Sequence, residues 1–322
     1  MMAWTDRHCR FFHRLITRRA RLYTEMITTG ALIHGDVAKH LDFDHEHETP
    51  VALQLGGSDA GDLARATAIG VRWGYDEINL NCGCPSDRVQ RGTFGACLMA
   101  TPNVVADGVK AMLDAAQGVP VTVKHRLGID RLESYDFVRD FVGTVAQAGC
   151  RVFIVHARNA WLDGLSPKDN RDIPPLRYED ARRLKRDFPS LTFVINGGID
   201  SADGIAEHLV DMDGVMVGRA AYHDPWSMRD WDARFFDAPT IAADRDAVEA
   251  AMVEYMSRQA PLGEPWPHIA RHMLGLHNGR PGARRWRQVW SDASAKHQAP
   301  SDVSARARAS LSDAVDRGTV AA

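Results

Sequence analysis

From residue 21 to about residue 221 the chain alternates short apolar or β-branched runs with longer amphipathic stretches, the pattern of repeated βα units around a parallel sheet. Seven runs read as strands: RLYTEMI (21–27), VALQLG (51–56), EINLNC (77–82), PVTVKHR (120–126), RVFIVHA (151–157), TFVING (192–197) and GVMVGR (214–219). DLARATAIGVRWG, NVVADGVKAMLDAAQ, YDFVRDFVGTVAQAG and YEDARRLKRDF read as the intervening helices, the first and third closing on a Gly that suits a C-cap. A closed barrel of this kind needs eight strands. The chain instead opens on a helix-like segment, TDRHCRFFHRLIT, where a strand belongs. The expected fold is therefore an α/β protein, a (β/α)8 TIM barrel whose first strand is missing from this chain. An open doubly wound sheet fits less well, because no GxGxxG follows an early strand.

After about residue 238 the strand pattern ceases. DRDAVEAAMVEYMSRQ, WPHIARHMLGLHNG, ARRWRQVWSDASAKH and SARARASLSDAVDRG read as helices separated by Pro and Gly turns. Two domains are expected, a barrel over 1–238 and a helical domain over 239–322. From residue 265 onward basic residues outnumber acidic ones, although the whole chain carries a formal net charge of −3. The charge argues against indiscriminate nucleic-acid binding and leaves room for a local basic face.

Composition changes the picture little: 45% hydrophobic and 25% charged residues describe an ordinary globular chain. No apolar run approaches the roughly 20 residues of a membrane helix. The start, MMAWTDRHCRFFHRL, lacks the apolar core and cleavage site of a secretory signal, so the cytoplasm is the expected compartment. Five scattered cysteines (Cys9, Cys82, Cys84, Cys97, Cys150) are expected as reduced thiols rather than a disulfide framework.

In a (β/α) barrel the active site forms at the C-terminal ends of the strands, and here most strands end on a polar residue. Gln54 follows VAL, Asn81 follows INL, Lys124 follows VTV, His156 follows FIV and Asn196 follows FVI. The loops after the last two strands, INGGI and MVGRAA, place Gly197, Gly198 and Gly218 where backbone N–H groups can approach a phosphate, with Arg219 adding a charge. A phosphate corner together with Lys124 suggests FMN: the lysine can stabilise negative charge on a reduced isoalloxazine, and Gln54 and His156 can hydrogen-bond the ring.

Cys82 and Cys84 stand one residue apart at the end of the third run. Zinc needs four ligands and no second cluster completes the set, so no metal is expected. A disulfide between them is disfavoured by strain and by a reducing compartment. Alternation separates the pair: Asn81 and the loop thiol Cys84 can face the mouth, with Cys82 a small apolar packing residue. A thiol beside a hydride donor is useful as an acid, since an unperturbed cysteine stays protonated at neutral pH. Cys97, in FGACLM, reads as core packing.

These motifs resemble the flavin-dependent tRNA-dihydrouridine synthases, specifically the A subfamily that modifies uridines 20 and 20a of the D-loop. The resemblance runs over almost the whole chain: MMAWTDRHCRFFHR, LYTEMITTGA, VALQLGG, INLNCGCPSDRVQRGTFGACLM, VKHRLGID, FIVHAR, WLDGLSPKDNRDIPPLRY, VINGGI, DGVMVGRAAY and GARRWR. It implies a cytoplasmic, monomeric enzyme with an FMN-binding barrel and a helical tRNA-binding domain, acting on tRNA and not on DNA or membranes. It further implies that NADPH reduces FMN, that hydride passes to carbon 6 of the uracil, and that Cys84 protonates carbon 5. Met1, Met2, Gln54, Lys124, His156, Asn196, Gly197, Gly198, Gly218 and Arg219 are then the expected cofactor-binding residues, with Asn81 contacting the target nucleotide. Lys168, Arg171, Arg284 and Arg287 match the family's tRNA contacts. The sequence departs from the family's pattern in two places. A strand ending in Pro normally precedes the Met-Met, so a chain extended upstream is expected to be more stable and to hold flavin better. Position 82 is commonly a small aliphatic, in keeping with packing there.

Two other functions compete. A dihydroorotate-dehydrogenase-like FMN barrel shares the phosphate corner and lysine but has no use for a basic helical tail. A non-catalytic tRNA-binding protein has no use for Cys84.

Overall fold

The structure, a computed structural model, describes residues 1–86, 94–242 and 244–319. It contains two compact units: Met1–Ala3 with Arg21–Gly218, and Trp4–Ala20 with Arg219–Ala322.

The first unit is built on one parallel sheet of seven strands: β1 (Leu22–Thr28), β2 (Val51–Gly56), β3 (Glu77–Cys82), β4 (Val121–Arg126), β5 (Val152–His156), β6 (Thr192–Asn196) and β7 (Gly214–Met216). Their spatial order follows the chain, β1 through β7. A doubly wound sheet reverses direction midway, so the sequential order selects the barrel class, as a half-barrel with β1 and β7 at its edges.

Helices Ala60–Arg72, Pro102–Ala115, Tyr135–Gln147 and Tyr178–Asp187 lie within two residues of their expected positions. Asp59 caps the first of these by accepting from Asp62 N (2.8 Å), and Ser134 caps the third by accepting from Phe137 N (3.2 Å). Helix Ala60–Arg72 approaches the sheet closely at Gly70, where an added β-carbon would lie 2.6 Å from Leu53 and 2.9 Å from Ile78. Between β1 and β2 stand three short helices, Thr29–His34, Val37–Leu41 and His45–Glu48, each capped by the side chain of the residue before it. None is long enough to leave a hydrophobic period in the sequence.

Strand alternation divides the side chains between two faces. Leu53, Ile78, Leu80, Cys82, Val123, His125, Phe153, Val155, Phe193 and Ile195 share one face and are fully buried; each large apolar one contributes about 1.5–3 kcal/mol. The other face carries a polar series: Gln54; Glu77, Asn79 and Asn81; Thr122, Lys124 and Arg126; His156; Asn196. The strand-end residues Gln54, Asn81, Lys124, His156 and Asn196 all lie on this second face.

The second unit is helical. It holds Arg7–Arg14, Arg219–His223, Trp231–Phe235, Arg245–Gln259, Trp266–Ala270, Ala283–Trp290 and Pro300–Thr319. Residues 4–20 and 219–238, assigned to the barrel domain from the sequence, cluster with the C-terminal helices. The reason is specific contacts: buried Asp232 accepts from the Thr17 hydroxyl (2.6 Å) and from the backbone N of Arg18 (2.7 Å) and Arg19 (3.1 Å), and Phe11 stacks on Tyr255 at 3.9 Å. The segment expected as a helix over 266–279 is α-helical only to Ala270, continuing as a 3-10 turn to Met273.

A buried carboxylate organises this unit. Glu249 accepts from Trp286 Nε1 (3.1 Å), Trp290 Nε1 (3.3 Å) and Ser304 Oγ (2.8 Å), with His277 Nε2 at 3.3 Å and Arg308 Nε at 3.6 Å. Burial alone pushes its pKa up, but the hydrogen bonds from His277 and Ser304 and the Arg308 charge bring it below the usual carboxylate value. Ala283, Trp286 and Trp290 occupy the inner face of their helix, leaving Arg284, Arg285 and Arg287 exposed. No helix among the described residues is long and apolar enough to cross a membrane.

Candidate active site

The polar face of the sheet ends in a group of in-register neighbours: Asn81 beside Lys124, Arg126 beside His156, and His156 beside Asn196. Lys124 donates to Asn196 Oδ1 (3.1 Å), and Asn196 Nδ2 donates to Met216 O (2.7 Å). Both ends of the Asn196 amide are thus engaged by the protein, and its work in this structure is to hold the lysine.

Burial lowers the Lys124 pKa to about 7; Arg126 acts in the same direction and the nearby Cys84 thiol opposes it. The unfolded chain keeps this lysine protonated to about pH 10. Its contribution to stability is therefore present above that range and is lost as pH falls through about 7. Lys124→Met is expected to stabilise the flavin-free protein at pH 6 by about 1–3 kcal/mol, a range reduced because the residue as a whole is only partly buried. Urea unfolding at pH 6 and pH 9 checks this: the gap between variant and wild type should shrink at the higher pH.

The turn after β3 is fastened from two sides. Asn81 Oδ1 accepts from Gly83 N (3.0 Å) and Cys84 N (2.9 Å), and Arg126 Nε donates to Gly83 O (3.2 Å). Arg126 also donates to Asn159 O (3.2 Å) and Asn170 O (2.8 Å), tying the β3 turn to the segments after β5. Burial brings its pKa down to about 10. Cys84 is half-buried, its thiol 3.5 Å from Ser86 Oγ. Cys82 is fully buried on the opposite face of β3, and burial pushes its thiol pKa far up. Cys97 is half-buried and donates to Phe94 O (3.1 Å). Residues 87–93, the central part of the CGCPSDRVQRGTFGAC motif, lie outside the described residues.

Gln54 donates from Nε2 to Asn79 Oδ1 (2.9 Å) and accepts at Oε1 from Asn81 Nδ2 (2.8 Å). Gly197 and Gly198 have φ of +112° and +70°, the left-handed region that glycine adopts without strain. A β-carbon on Gly197 would lie 2.7 Å from His156 Cδ2, and Tyr178 OH fixes the loop by donating to Gly197 O (2.6 Å). Gly218 lies beside Met1, its notional β-carbon 3.6 Å from the Met1 sulfur, while Met2 is 58% exposed. Arg219, next in the chain, opens helix Arg219–His223 of the second unit.

Lys168 and Arg171 are exposed within the 161–177 segment, which buried Asn170 braces by donating to Trp161 O (2.7 Å) and accepting from Trp161 N (2.7 Å). Arg284 and Arg287 are exposed in the second unit, where Arg287 donates to Asn278 Oδ1 (3.0 Å). The same unit has a recess of about 220 Å³ whose lining includes Arg271, His272 and Arg287.

The structure thus brings Gln54, Asn81, Cys84, Lys124, His156 and Asn196 to one end of one face. Arg126 was not anticipated, yet it stands two residues after Lys124 and so shares its face, a signal available in VKHR. Glu77, Asn79 and Thr122 were also missed, because they lie earlier in their strands than the polar residues near the C-terminal ends that drew notice.

Among protein-family models, one described as Dihydrouridine synthase (Dus) matches residues 1–314. The chain is 56% identical over 304 residues to the tRNA-dihydrouridine(20/20a) synthase of Salmonella typhimurium, covering 94% of this chain and 90% of that protein. It is 54% identical over 304 residues to the protein of the same name from Escherichia coli K12, covering 94% and 87%. With the one from Pseudomonas syringae pv. tomato it shares 55% identity over 291 residues, covering 90% and 86%.

Proposed function

The chain belongs to the dihydrouridine synthase family, whose members are flavin-dependent oxidoreductases, and we propose that it is a tRNA-dihydrouridine(20/20a) synthase that uses FMN and NADPH. The observation that carries this reading is the fastened N-x-x-C turn, in which Asn81, the strand neighbour of Lys124, holds the Cys84 backbone N–H while Cys82 is buried on the opposite face.

The residues present fit FMN. Gly197 and Gly198, in left-handed backbone, offer N–H groups for a phosphate, Lys124 offers a cation, and the Gln54 amide keeps one N–H beyond its bonds to Asn79 and Asn81. Met1 and Gly218 would line the same pocket, with His156 against Gly197. FMN, when bound and reduced by NADPH, supplies a hydride to carbon 6 of the uracil. Cys84 holds the proton that goes to carbon 5, so that the C5–C6 double bond gains one hydride and one proton. A negative charge brought beside Lys124 favours its ammonium form at neutral pH. Asn81, with its carbonyl committed to the Cys84 turn and one amide hydrogen to Gln54, has one amide hydrogen left for the substrate base.

Arg284 and Arg287 on one unit, and Lys168 and Arg171 on the other, supply exposed cations for the tRNA backbone. The protein acts in the cytoplasm as a monomer in this reading. The test is the identity of the flavin released from the purified protein, together with NADPH oxidation. FMN and oxidation that accelerates on adding unmodified tRNA are expected; a protein that holds no flavin and oxidises NADPH indifferently to tRNA contradicts the proposal.

A further inference from the structure

Behind the site, a chain of hydrogen bonds runs along the polar face of β3 from Glu77 to Asn81. At the far end Glu77, buried, accepts from Tyr23 OH (2.7 Å) and Thr122 Oγ1 (2.7 Å) and is paired with Arg21. Thr122 Oγ1 accepts from Asn79 Nδ2 (2.7 Å), Asn79 Oδ1 accepts from Gln54 Nε2 (2.9 Å), and Gln54 Oε1 accepts from Asn81 Nδ2 (2.8 Å). Asn81 Oδ1 closes the series on the backbone N–H groups of Gly83 and Cys84. The series spans four residue steps of β3, about 13 Å.

Its ends determine its direction. A carboxylate only accepts and a backbone N–H only donates. The one hydroxyl proton of Thr122 is spent on Glu77, so its oxygen must receive from the NH2 end of Asn79. That turns the carbonyl of Asn79 to Gln54, the carbonyl of Gln54 to Asn81, and the carbonyl of Asn81 to the Cys84 turn. Reversing any one amide sets donor against donor or acceptor against acceptor at two junctions. Asn79 and Thr122 are essentially inaccessible, so water cannot repair such a mismatch.

We propose that Glu77, Thr122 and Asn79 are positioning residues, a relay that fixes the amides of Gln54 and Asn81 in one orientation and so holds the Cys84 turn ready before cofactor or substrate arrives. The importance of Gln54 and Cys84 rests on the functional reading above; the relay itself does not. Preorganised polar groups of this kind lower the reorganisation a reaction must undergo.

Thr122→Val removes the hydroxyl and keeps the β-branched shape, Thr122→Ser keeps the hydroxyl, and Asn79→Asp keeps the acceptor for Gln54 while deleting the donor to Thr122. The readout is the rate at which iodoacetamide alkylates Cys84 in the flavin-free protein, followed by peptide mapping at a temperature where near-ultraviolet circular dichroism shows all variants folded. A second readout is the visible spectrum of each variant reloaded with flavin. Alkylation is expected to quicken about tenfold in Thr122→Val and Asn79→Asp, the fold-change of roughly one net hydrogen bond, with a shifted flavin band, and Thr122→Ser should match the wild type. In turnover, kcat should fall with KM for tRNA unchanged. Wild-type alkylation and spectra in both Thr122→Val and Asn79→Asp would overturn the relay, as would a Thr122→Ser variant perturbed as much as Thr122→Val. A wild-type protein that makes no dihydrouridine counts against the functional reading alone, because alkylation still reports on the turn.

Discussion

Cys84→Ala is expected to lower dihydrouridine formation by about 10²–10⁴-fold, the usual worth of a positioned general acid, while FMN binding and its reduction by NADPH continue. The thiol stands in a turn held by Asn81 and Arg126, and the Ser86 hydroxyl 3.5 Å away is a far weaker acid than a thiol. The variant should therefore accumulate reduced flavin in the presence of tRNA. Single-turnover mixing of the reduced protein with unmodified tRNA checks both halves of this: flavin reoxidation should be slow in the variant and fast in the wild type. Undiminished turnover would remove Cys84 as the acid and leave the family's chemistry to another group.

The second large effect concerns the helical unit. Glu249→Gln is expected to destabilise it by about 1–3 kcal/mol, because the two buried Trp N–H groups, the Ser304 hydroxyl and the partly exposed Arg308 then face an amide that accepts on one side only. The pH dependence has a definite sign. The Glu249 pKa is lowered on folding from its ordinary 4.5, so its stabilisation is present above about pH 4.5 and is lost as pH falls through the folded value. Urea unfolding at pH 7 and pH 4 should show the wild type losing stability and the Glu249→Gln variant losing less. Equal stability of variant and wild type at pH 7 would contradict the assigned role.

Much of this architecture was legible in the chain. The seven strands are dense in Val, Ile and Leu and bounded by Gly, Pro and Asp, so their positions emerge within a few residues. The least accurate was the last, expected over 214–219 and ending at Met216, where Gly218 and Arg219 already belong to the loop and the next helix. The attachment of residues 4–20 to the helical unit was not legible. It depends on Asp232 and Tyr255, more than two hundred residues away, and no local pattern announces such a partner.

The site divides in the same way. Polar residues at strand ends are conspicuous because the barrel class places chemistry there, which made Gln54, Asn81, Lys124, His156 and Asn196 visible. Glu77, Asn79 and Thr122 lie deeper on the same face, where a polar side chain looks like an error until its partners are seen. Asn81 and Asn196 were expected to touch substrate and cofactor; in the folded protein Asn81 also bonds Gln54, Gly83 and Cys84, and Asn196 also bonds Lys124 and Met216.

Incubating unmodified tRNA with the protein, FMN and NADPH and mapping dihydrouridine by mass spectrometry of nuclease fragments decides whether this chain is a dihydrouridine synthase. Uridines that gain two hydrogens at positions 20 and 20a of the D-loop are expected, the positions in the names of the related synthases. Flavin-loaded, NADPH-reduced protein that leaves every uridine of that tRNA unchanged would contradict that assignment.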